Sequence, residues 1–344
     1  MAKAKKTSMN YAAEIRSLRS RGPGGVYLLY GPEEYLRERY LDELRSLCVD
    51  AGDEFNTRRL NGQGLDLNDL SEAVNALPFF GERVFVEVRD YDLNRCKDAE
   101  LDRLKGILTE VPDSCTLVFV QTSAAEPDGR TASVKALKKL GRALEFTEQD
   151  PQALVGWIGN RFRALGKSID RPDAEYLIFL AGSGMNALIP EIEKTAAYAQ
   201  SERVTRADID ATVNRLPEAD VFAMSDLLAA RRYDEAARVL RDLLDNKNNH
   251  PIFLNSLIGQ QLRRLYVLRV GQDAGKSRAE QMELTGTTYD FVFNKLSASA
   301  RAYSTEELGR LVCLSAEYDY RMKSTGLDPV LLLEELFARL AAGV

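Results

Sequence analysis

The hydrophobic positions along the first 150 residues alternate between two spacings, and this alternation predicts a repeated strand–helix unit. Short apolar runs mark five strands, and between them apolar residues recur at helical spacing, as they do from Glu33 to Leu47. Strands that alternate with helices favour a parallel sheet with helices on both faces. The predicted strands cover residues 26–30, 55–62, 83–91, 115–123 and 143–148.

Beyond Asp150 the strand pattern stops, and the apolar residues keep helical spacing to the C-terminus. The helical runs after Pro217 show no repeat period, so they indicate a bundle rather than a solenoid. The fold class is therefore α/β plus all-α. We expect an α/β domain at residues 1–148, a small helical domain at 149–217 and a C-terminal helical bundle at 218–344.

Composition excludes several classes of protein. No apolar run is long enough for a membrane span, and the basic first ten residues, which lack a signal-peptide core, are predicted to be a disordered tail of a cytoplasmic protein. Four scattered cysteines argue against a zinc site or a disulfide framework. The single histidine, His250, is expected in a loop or helix cap. The net charge of −6 disfavours nucleic-acid binding by the chain as a whole, although a local basic patch is compatible with it.

The turn after the first predicted strand occupies the place of a phosphate-binding loop, whose pattern is GxxxxGK[ST]. In that loop, backbone N–H groups surround the phosphates, the lysine reaches the outer phosphates and the hydroxyl holds magnesium. Gly31 matches the first glycine, but Leu36, Arg37 and Glu38 replace the second glycine, the lysine and the hydroxyl residue. The loop therefore departs from the pattern at each position that carries chemistry.

The end of the third predicted strand departs in the same way. Val88 and Arg89 stand where such an ATPase carries its acidic magnesium and water residues. Two interpretations stay open: the domain never held a nucleotide, or it descends from an ATPase that no longer hydrolyses. A divergent nucleotide hydrolase that uses Arg37 in place of the lysine is the enzymatic alternative.

Two adjacent aromatic residues, Phe79 and Phe80, stand between a predicted helix and the third strand. The helix starts at an Asp or Asn cap near Asp66 and is expected to end before Pro78. Gly81 permits the turn into the strand. The rings either pack under the sheet as a buried corner or project as an anchor for a partner, and the spacing alone leaves both options open.

A basic stretch near residue 140 is a candidate for contact with nucleic acid. Its side chains are Lys135, Lys138, Lys139 and Arg142, and the interpretation as a DNA-phosphate contact competes with an ordinary solvated helix face.

Four segments in this order make the chain resemble the delta subunits of the bacterial DNA polymerase III clamp loader. They are VYLLYGPEEYLRERYLDEL, ALPFFGERVFVEV, GSGMNALIPEIEKTAAYA and PIFLNSLIGQQLRRLYVLR, and the resemblance covers nearly the whole chain. It implies an AAA+-like α/β domain with a degenerate nucleotide site, a small helical lid domain and a helical collar through which subunits assemble.

The resemblance also implies a function without catalysis. Delta subunits bind the ring-shaped sliding clamp and open it for loading onto primed DNA, inside a pentamer with the delta-prime subunit and the ATP-hydrolysing gamma or tau subunits. We therefore expect no cofactor, no metal and no hydrolysis by this chain. The family's clamp-binding hydrophobic pair falls on Phe79 and Phe80, with Leu77 and Pro78 leading into it; many members have leucine where this chain has Phe79. An adaptor for a different partner is the remaining alternative.

Overall fold

The computed structural model describes residues 9–122 and 125–343, so most of the predicted N-terminal tail lies outside the described residues. The chain divides into two compact units. The first contains Met1–Leu154 and Ser183–Ile189, and the second contains Val155–Gly182 and Pro190–Val344. Among the described helices, none combines the length and the apolarity that a bilayer crossing needs.

The first unit is built on a parallel sheet. Its strands lie in the order β2-β3-β4-β1-β5, and each neighbouring pair is parallel. The prediction of a parallel α/β section is therefore confirmed. The strands are β1 (Gly25–Tyr30), β2 (Thr57–Asn61), β3 (Val84–Arg89), β4 (Cys115–Val120) and β5 (Arg142–Glu145).

Helices accompany these strands, and one of them was not expected from the sequence. The first helix precedes β1 and starts at Asn10, whose side chain caps it. Leu18 is its one buried residue, so the helix has no periodic apolar pattern from which it could be predicted. The helices are α1 (Tyr11–Arg21), α2 (Glu34–Ser46), α3 (Leu67–Val74), α4 (Asp98–Thr109) and α5 (Ala132–Leu140).

The two faces of β3 have different surroundings. Val84, Val86 and Val88 point into a hydrophobic core that they share with residues of α3, α4 and α5. The alternating residues Phe85 and Glu87 face α2 instead, since side chains along a strand point to opposite faces. A charged residue in the middle of this strand therefore lies under a helix, where it needs partners.

The second unit is helical, as predicted, apart from one short strand pair. Two short strands, Ser168–Ile169 (β6) and Arg203–Val204 (β7), pair in parallel. The prediction that no strands follow Asp150 is therefore wrong for these two strands of two residues each. The helices from residue 151 onward are α6 (Pro151–Ala164), α7 (Arg171–Ala181), α8 (Met185–Tyr198), α9 (Arg206–Thr212), α10 (Pro217–Ala229), α11 (Tyr233–Asp245), α12 (Pro251–Asp273), α13 (Arg278–Thr285), α14 (Asp290–Arg301), α15 (Thr305–Ser324) and α16 (Pro329–Ala342).

In the helical bundle, α12 packs against α15. Asn255 on α12 donates to the Ser315 carbonyl at 3.2 Å, which satisfies a buried amide at the contact. Gly259 lies opposite the same serine, and a Cβ atom there would stand 2.8 Å from its hydroxyl oxygen. His250 caps the N-terminus of α12 by accepting the Ile252 N–H, in agreement with the sequence expectation.

Candidate functional site

The segment between α3 and β3 differs from the prediction at its start. The helix ends at Val74 rather than just before Pro78. Asn75 ends it, because its side-chain amide donates to the Ser71 carbonyl at 2.8 Å. Residues 76–83 therefore form an irregular segment with no helical hydrogen bonds, and they can present side chains away from the sheet.

This segment exposes its large apolar side chains. Phe80 is 97% exposed, Leu77 is 89% exposed and Phe79 is 55% exposed, while Pro78 is partly buried. The rings of Phe79 and Phe80 meet edge to face with centroids 4.5 Å apart. The structure thus answers the question that the spacing left open, because neither ring packs under the sheet.

Phe80 also has an unusual backbone conformation. Its φ of 53° lies in the left-handed region, which costs a non-glycine residue about 1–2 kcal/mol. The Phe80 ring touches the Phe79 ring but is not buried by this contact, since it stays nearly fully exposed. A strained residue that holds an apolar ring in water is a candidate for a role outside the chain.

A third ring, which the sequence pattern did not single out, extends this surface. Phe55 is 70% exposed and its ring centroid lies 5.4 Å from that of Phe79. The sequence predicts Phe55 in the second strand, but β2 begins only at Thr57. The residues before Thr57 form a turn instead, because the Asp53 carboxylate accepts the backbone N–H groups of Phe55 and Asn56. We call Phe55, Leu77, Phe79 and Phe80 the apolar tip.

The degenerate phosphate loop lies at the carboxyl end of β1, between β4 and β5. The chain leaves β1 and β4 in opposite directions across the sheet, and such a switch point is where parallel sheets usually bind ligands. Gly31 is required there by packing: its φ is 114°, and a Cβ atom would stand 2.5 Å from the Phe146 carbonyl oxygen. The one glycine that matches the phosphate-loop pattern therefore has a structural reason to be present.

The residues that replace the rest of the pattern are engaged within the protein. Leu36 is buried in the core, and Arg37 is also buried, with its Nη1 donating to the Gly31 carbonyl at 2.9 Å. Burial raises the pKa of the neighbouring Glu33 carboxyl. Arg37 is thus directed at the loop backbone, where a phosphate-loop lysine would be directed at the nucleotide.

An ion-pair network occupies the position of the magnesium-binding hydroxyl, at Glu38, and the position of the water-binding acid, at Arg89. Arg89 makes a bidentate pair with Glu38, with nitrogen–oxygen distances of 3.1 and 2.7 Å. Its Nε also donates to the buried Glu87 at 2.5 Å, and Arg45 donates to the same carboxylate at 2.8 Å. The hydrogen bonds to Glu38 raise the pKa of Arg89. Val88, the other substituted position, is buried in the hydrophobic core.

The four residues of the basic stretch do not all lie on one helix. Lys135, Lys138 and Lys139 are exposed on α5, and the Lys138 ammonium lies 5.5 Å from the centre of the Tyr30 ring. Arg142 is the first residue of β5 rather than part of the helix, and it pairs with Glu14 of α1 at 3.0 Å. Three lysines therefore share one accessible surface. Within the described residues, no group of three or more His, Cys, Asp or Glu side chains is arranged to hold a metal ion.

Comparison with known proteins gives one consistent result. Residues 27–147 match the family model described as DNA polymerase III, delta subunit, and residues 218–340 match the model of the C-terminal domain of that subunit. The chain is 27% identical to the DNA polymerase III subunit delta of Bacillus subtilis over 90% of both chains. It is 24% identical to the probable DNA polymerase III subunit delta of Aquifex aeolicus, over 90% of this chain and 89% of the relative.

A solved structure gives the same result. The chain is similar to the Bacillus subtilis DNA clamp loader delta protein with a TM-score of 0.56 and 26% identity, over 96% of this chain and 99% of that one.

Proposed function

The chain belongs to the DNA polymerase III delta subunit family and is a clamp-loader component, and from this premise we propose that it binds the sliding clamp through Leu77, Pro78, Phe79 and Phe80. By holding this contact it opens one interface of the ring, so that the clamp can be loaded onto primed DNA during replication. The observation that carries the proposal is the exposure of Phe80, at 97% of its surface, beside a half-exposed Phe79.

The energetics of the exposed rings support an anchor. Full burial of a phenylalanine side chain is worth about 1.5–3 kcal/mol, and aromatic anchors in a partner's pocket commonly dominate binding. Pro78 restricts the backbone before the rings, which lowers the entropy lost on docking. The edge-to-face contact of Phe79 with Phe80 orders the pair before any partner arrives.

We propose further that the chain does not hydrolyse ATP. The support is the ion pair between Glu38, at a magnesium position, and Arg89, at the position of the water-binding acid, together with the hydrogen bond of Arg37 to the Gly31 carbonyl. Incubation of the isolated chain with labelled ATP and magnesium, with the release of labelled phosphate as the readout, tests this. Release of phosphate by the chain would favour the enzymatic alternative instead.

Contact with DNA is proposed for the lysines of α5 only within the assembled loader. The three lysines form a local positive surface on a chain of net charge −6, so partner subunits, namely delta-prime and gamma or tau in a pentamer, are expected to supply the rest of the DNA-binding surface. In reconstituted loader, Lys135→Ala with Lys138→Ala and Lys139→Ala should weaken DNA binding and reduce its salt dependence. Lys105→Ala on α4, where the lysine already pairs with Asp102, is the matched control.

The proposed function is tested by capture of the purified sliding clamp on the immobilised chain. Wild-type chain should retain the clamp, and the variant with Phe79→Ala and Phe80→Ala should not. If the wild-type chain fails to retain the clamp, an adaptor role toward another partner becomes the better account.

A further inference from the structure

We propose that the loop before β2, Asp53–Asn56, is a second contact element of the clamp-binding surface, in which Phe55 docks beside Phe79 and Phe80 and Asn56 holds Phe79 in place. This inference rests on the proposed function and extends it from one chain segment to two. It predicts that the receiving surface on the clamp is an apolar site wide enough for three rings.

Phe55 is placed as an interface residue would be. Its ring continues the row formed by Phe79 and Phe80, with centroid separations of 5.4 and 4.5 Å along the row. Single exposed apolar side chains are common on protein surfaces, whereas contiguous exposed apolar groups mark interaction sites. The backbone beneath Phe55 is fixed by Asp53, whose carboxylate accepts the Phe55 N–H at 3.0 Å.

Asn56 joins the two segments through its side chain. Although it adjoins the exposed Phe55, it is 1% exposed, and its Oδ1 accepts the Phe79 N–H at 2.7 Å while its Nδ2 donates to the Phe79 carbonyl at 2.8 Å. The same Nδ2 donates to Asp53 at 2.6 Å. One amide therefore satisfies both backbone groups of Phe79, which the end of α3 at Val74 leaves without helical partners.

The backbone of Asn56 also connects this arrangement to the sheet. Its carbonyl accepts the Phe85 N–H at 2.8 Å, at the beginning of β3. Gly81 leaves room for the Asn56 amide, since a Cβ atom at residue 81 would stand 3.0 Å from Nδ2. The apolar tip is thus held against a rigid element by one buried side chain, which reduces the conformational entropy that binding must overcome. We assign Asn56 as a positioning residue.

The first test is Phe55→Ala, with clamp affinity measured by surface plasmon resonance on the full chain. We expect affinity to fall on the order of tenfold, as for an aromatic hot spot, with an unchanged melting temperature because the ring is mostly exposed. Tyr320→Ala on α15 is the matched control, since Tyr320 has the same 70% exposure and lies in the other unit.

The outcomes of this test separate the inference from the proposed function. If Phe55→Ala binds as wild type while the Phe79 and Phe80 variants lose binding, the second element is wrong and the proposed function stands. If wild-type chain does not bind the clamp at all, the proposed function itself fails.

The positioning role of Asn56 is tested by a double-mutant cycle with Phe79→Ala. Asn56→Ala should lower the melting temperature by a similar amount in both backgrounds, because it leaves the same backbone groups unsatisfied. Its effect on clamp affinity should be about tenfold with Phe79 present and much smaller with Phe79→Ala, since the ring to be positioned is then absent. Equal losses of clamp affinity in the two backgrounds would mean that Asn56 stabilises the fold without positioning Phe79, and would overturn the assignment.

Discussion

Replacement of Arg89 by methionine tests whether the ion-pair network between α2 and β3 holds the α/β unit together. The change keeps most of the side-chain volume and removes the guanidinium that joins Glu38 to Glu87. Glu87 keeps Arg45 as its one remaining cation in the described structure, although only 2% of its side chain is exposed. We therefore expect a clear loss of stability without unfolding of the unit.

The expected magnitude follows from the exposure of each pair. The Arg89–Glu38 pair is 41% and 32% exposed, so screening by solvent limits its contribution to about 0.5–1 kcal/mol. The hydrogen bond to the buried Glu87 carboxylate is worth about 1.5–3 kcal/mol. The sum, about 2–4 kcal/mol, is close to the range of about 3–5 kcal/mol for breaking a buried pair, and the remaining Arg45 favours its lower half.

Hydrogen exchange followed by mass spectrometry is the suitable assay, because it reports the stability of α2 and β3 separately from that of the second compact unit. Peptides that cover α2 and β3 should exchange about 30-fold faster or more in Arg89→Met, since each 1.4 kcal/mol corresponds to a factor of ten. Arg130→Met is the matched control: Arg130 pairs with Asp128 but is 90% exposed, so its loss should change exchange less than about threefold. An equally small change in Arg89→Met would refute the stabilising role of the network.

Two further predictions concern the degenerate phosphate loop. Burial raises the pKa of Glu33, so the folded state favours the protonated carboxyl, and the protein loses stability as the pH rises above the ordinary pKa of 4.5. Glu33→Gln should therefore melt at a higher temperature than wild type at pH 7. The difference in melting temperature should vanish below about pH 4.5. Gly31→Ala should destabilise the α/β unit by more than about 2 kcal/mol in chemical denaturation, because of its positive φ and the close Phe146 carbonyl. Gly106→Ala, inside α4 with open space around it, should instead stabilise by up to about 1 kcal/mol, and a similar loss at both glycines would contradict the steric explanation.

The sequence predicted the parallel sheet well because its three central strands, β3, β4 and β1, are buried on both faces and form nearly continuous apolar runs, as in β4. It missed α1, in which only Leu18 is buried, because one apolar contact produces no periodic pattern. It placed the end of α3 too late, because the side chain of Asn75 ends the helix before the proline can.

The sequence indicated which residues belong to the candidate sites, but it did not indicate which of them are in contact in the folded protein. Glu38 and Arg89 were each recognisable as departures from the ATPase pattern, but their pairing joins residues 51 positions apart along the chain. Asn56 reaches Phe79 across 23 positions, and nothing local in the sequence distinguishes it from any other turn asparagine. The apolar pattern places Phe55 in a strand, so its exposure beside Phe79 is visible only once the loop has been located.

The most direct test of the account is the affinity of the full-length chain for the purified sliding clamp, with and without the two adjacent rings. For Phe79→Ala with Phe80→Ala we predict a loss of at least about 100-fold in affinity, as for two hot-spot residues, at an unchanged melting temperature because Phe80 is 97% exposed and Phe79 is more than half exposed. The Tyr320→Ala control should bind as wild type. Wild-type affinity in the double variant, or a double variant that unfolds, would contradict the claim that these rings form the anchor for the clamp.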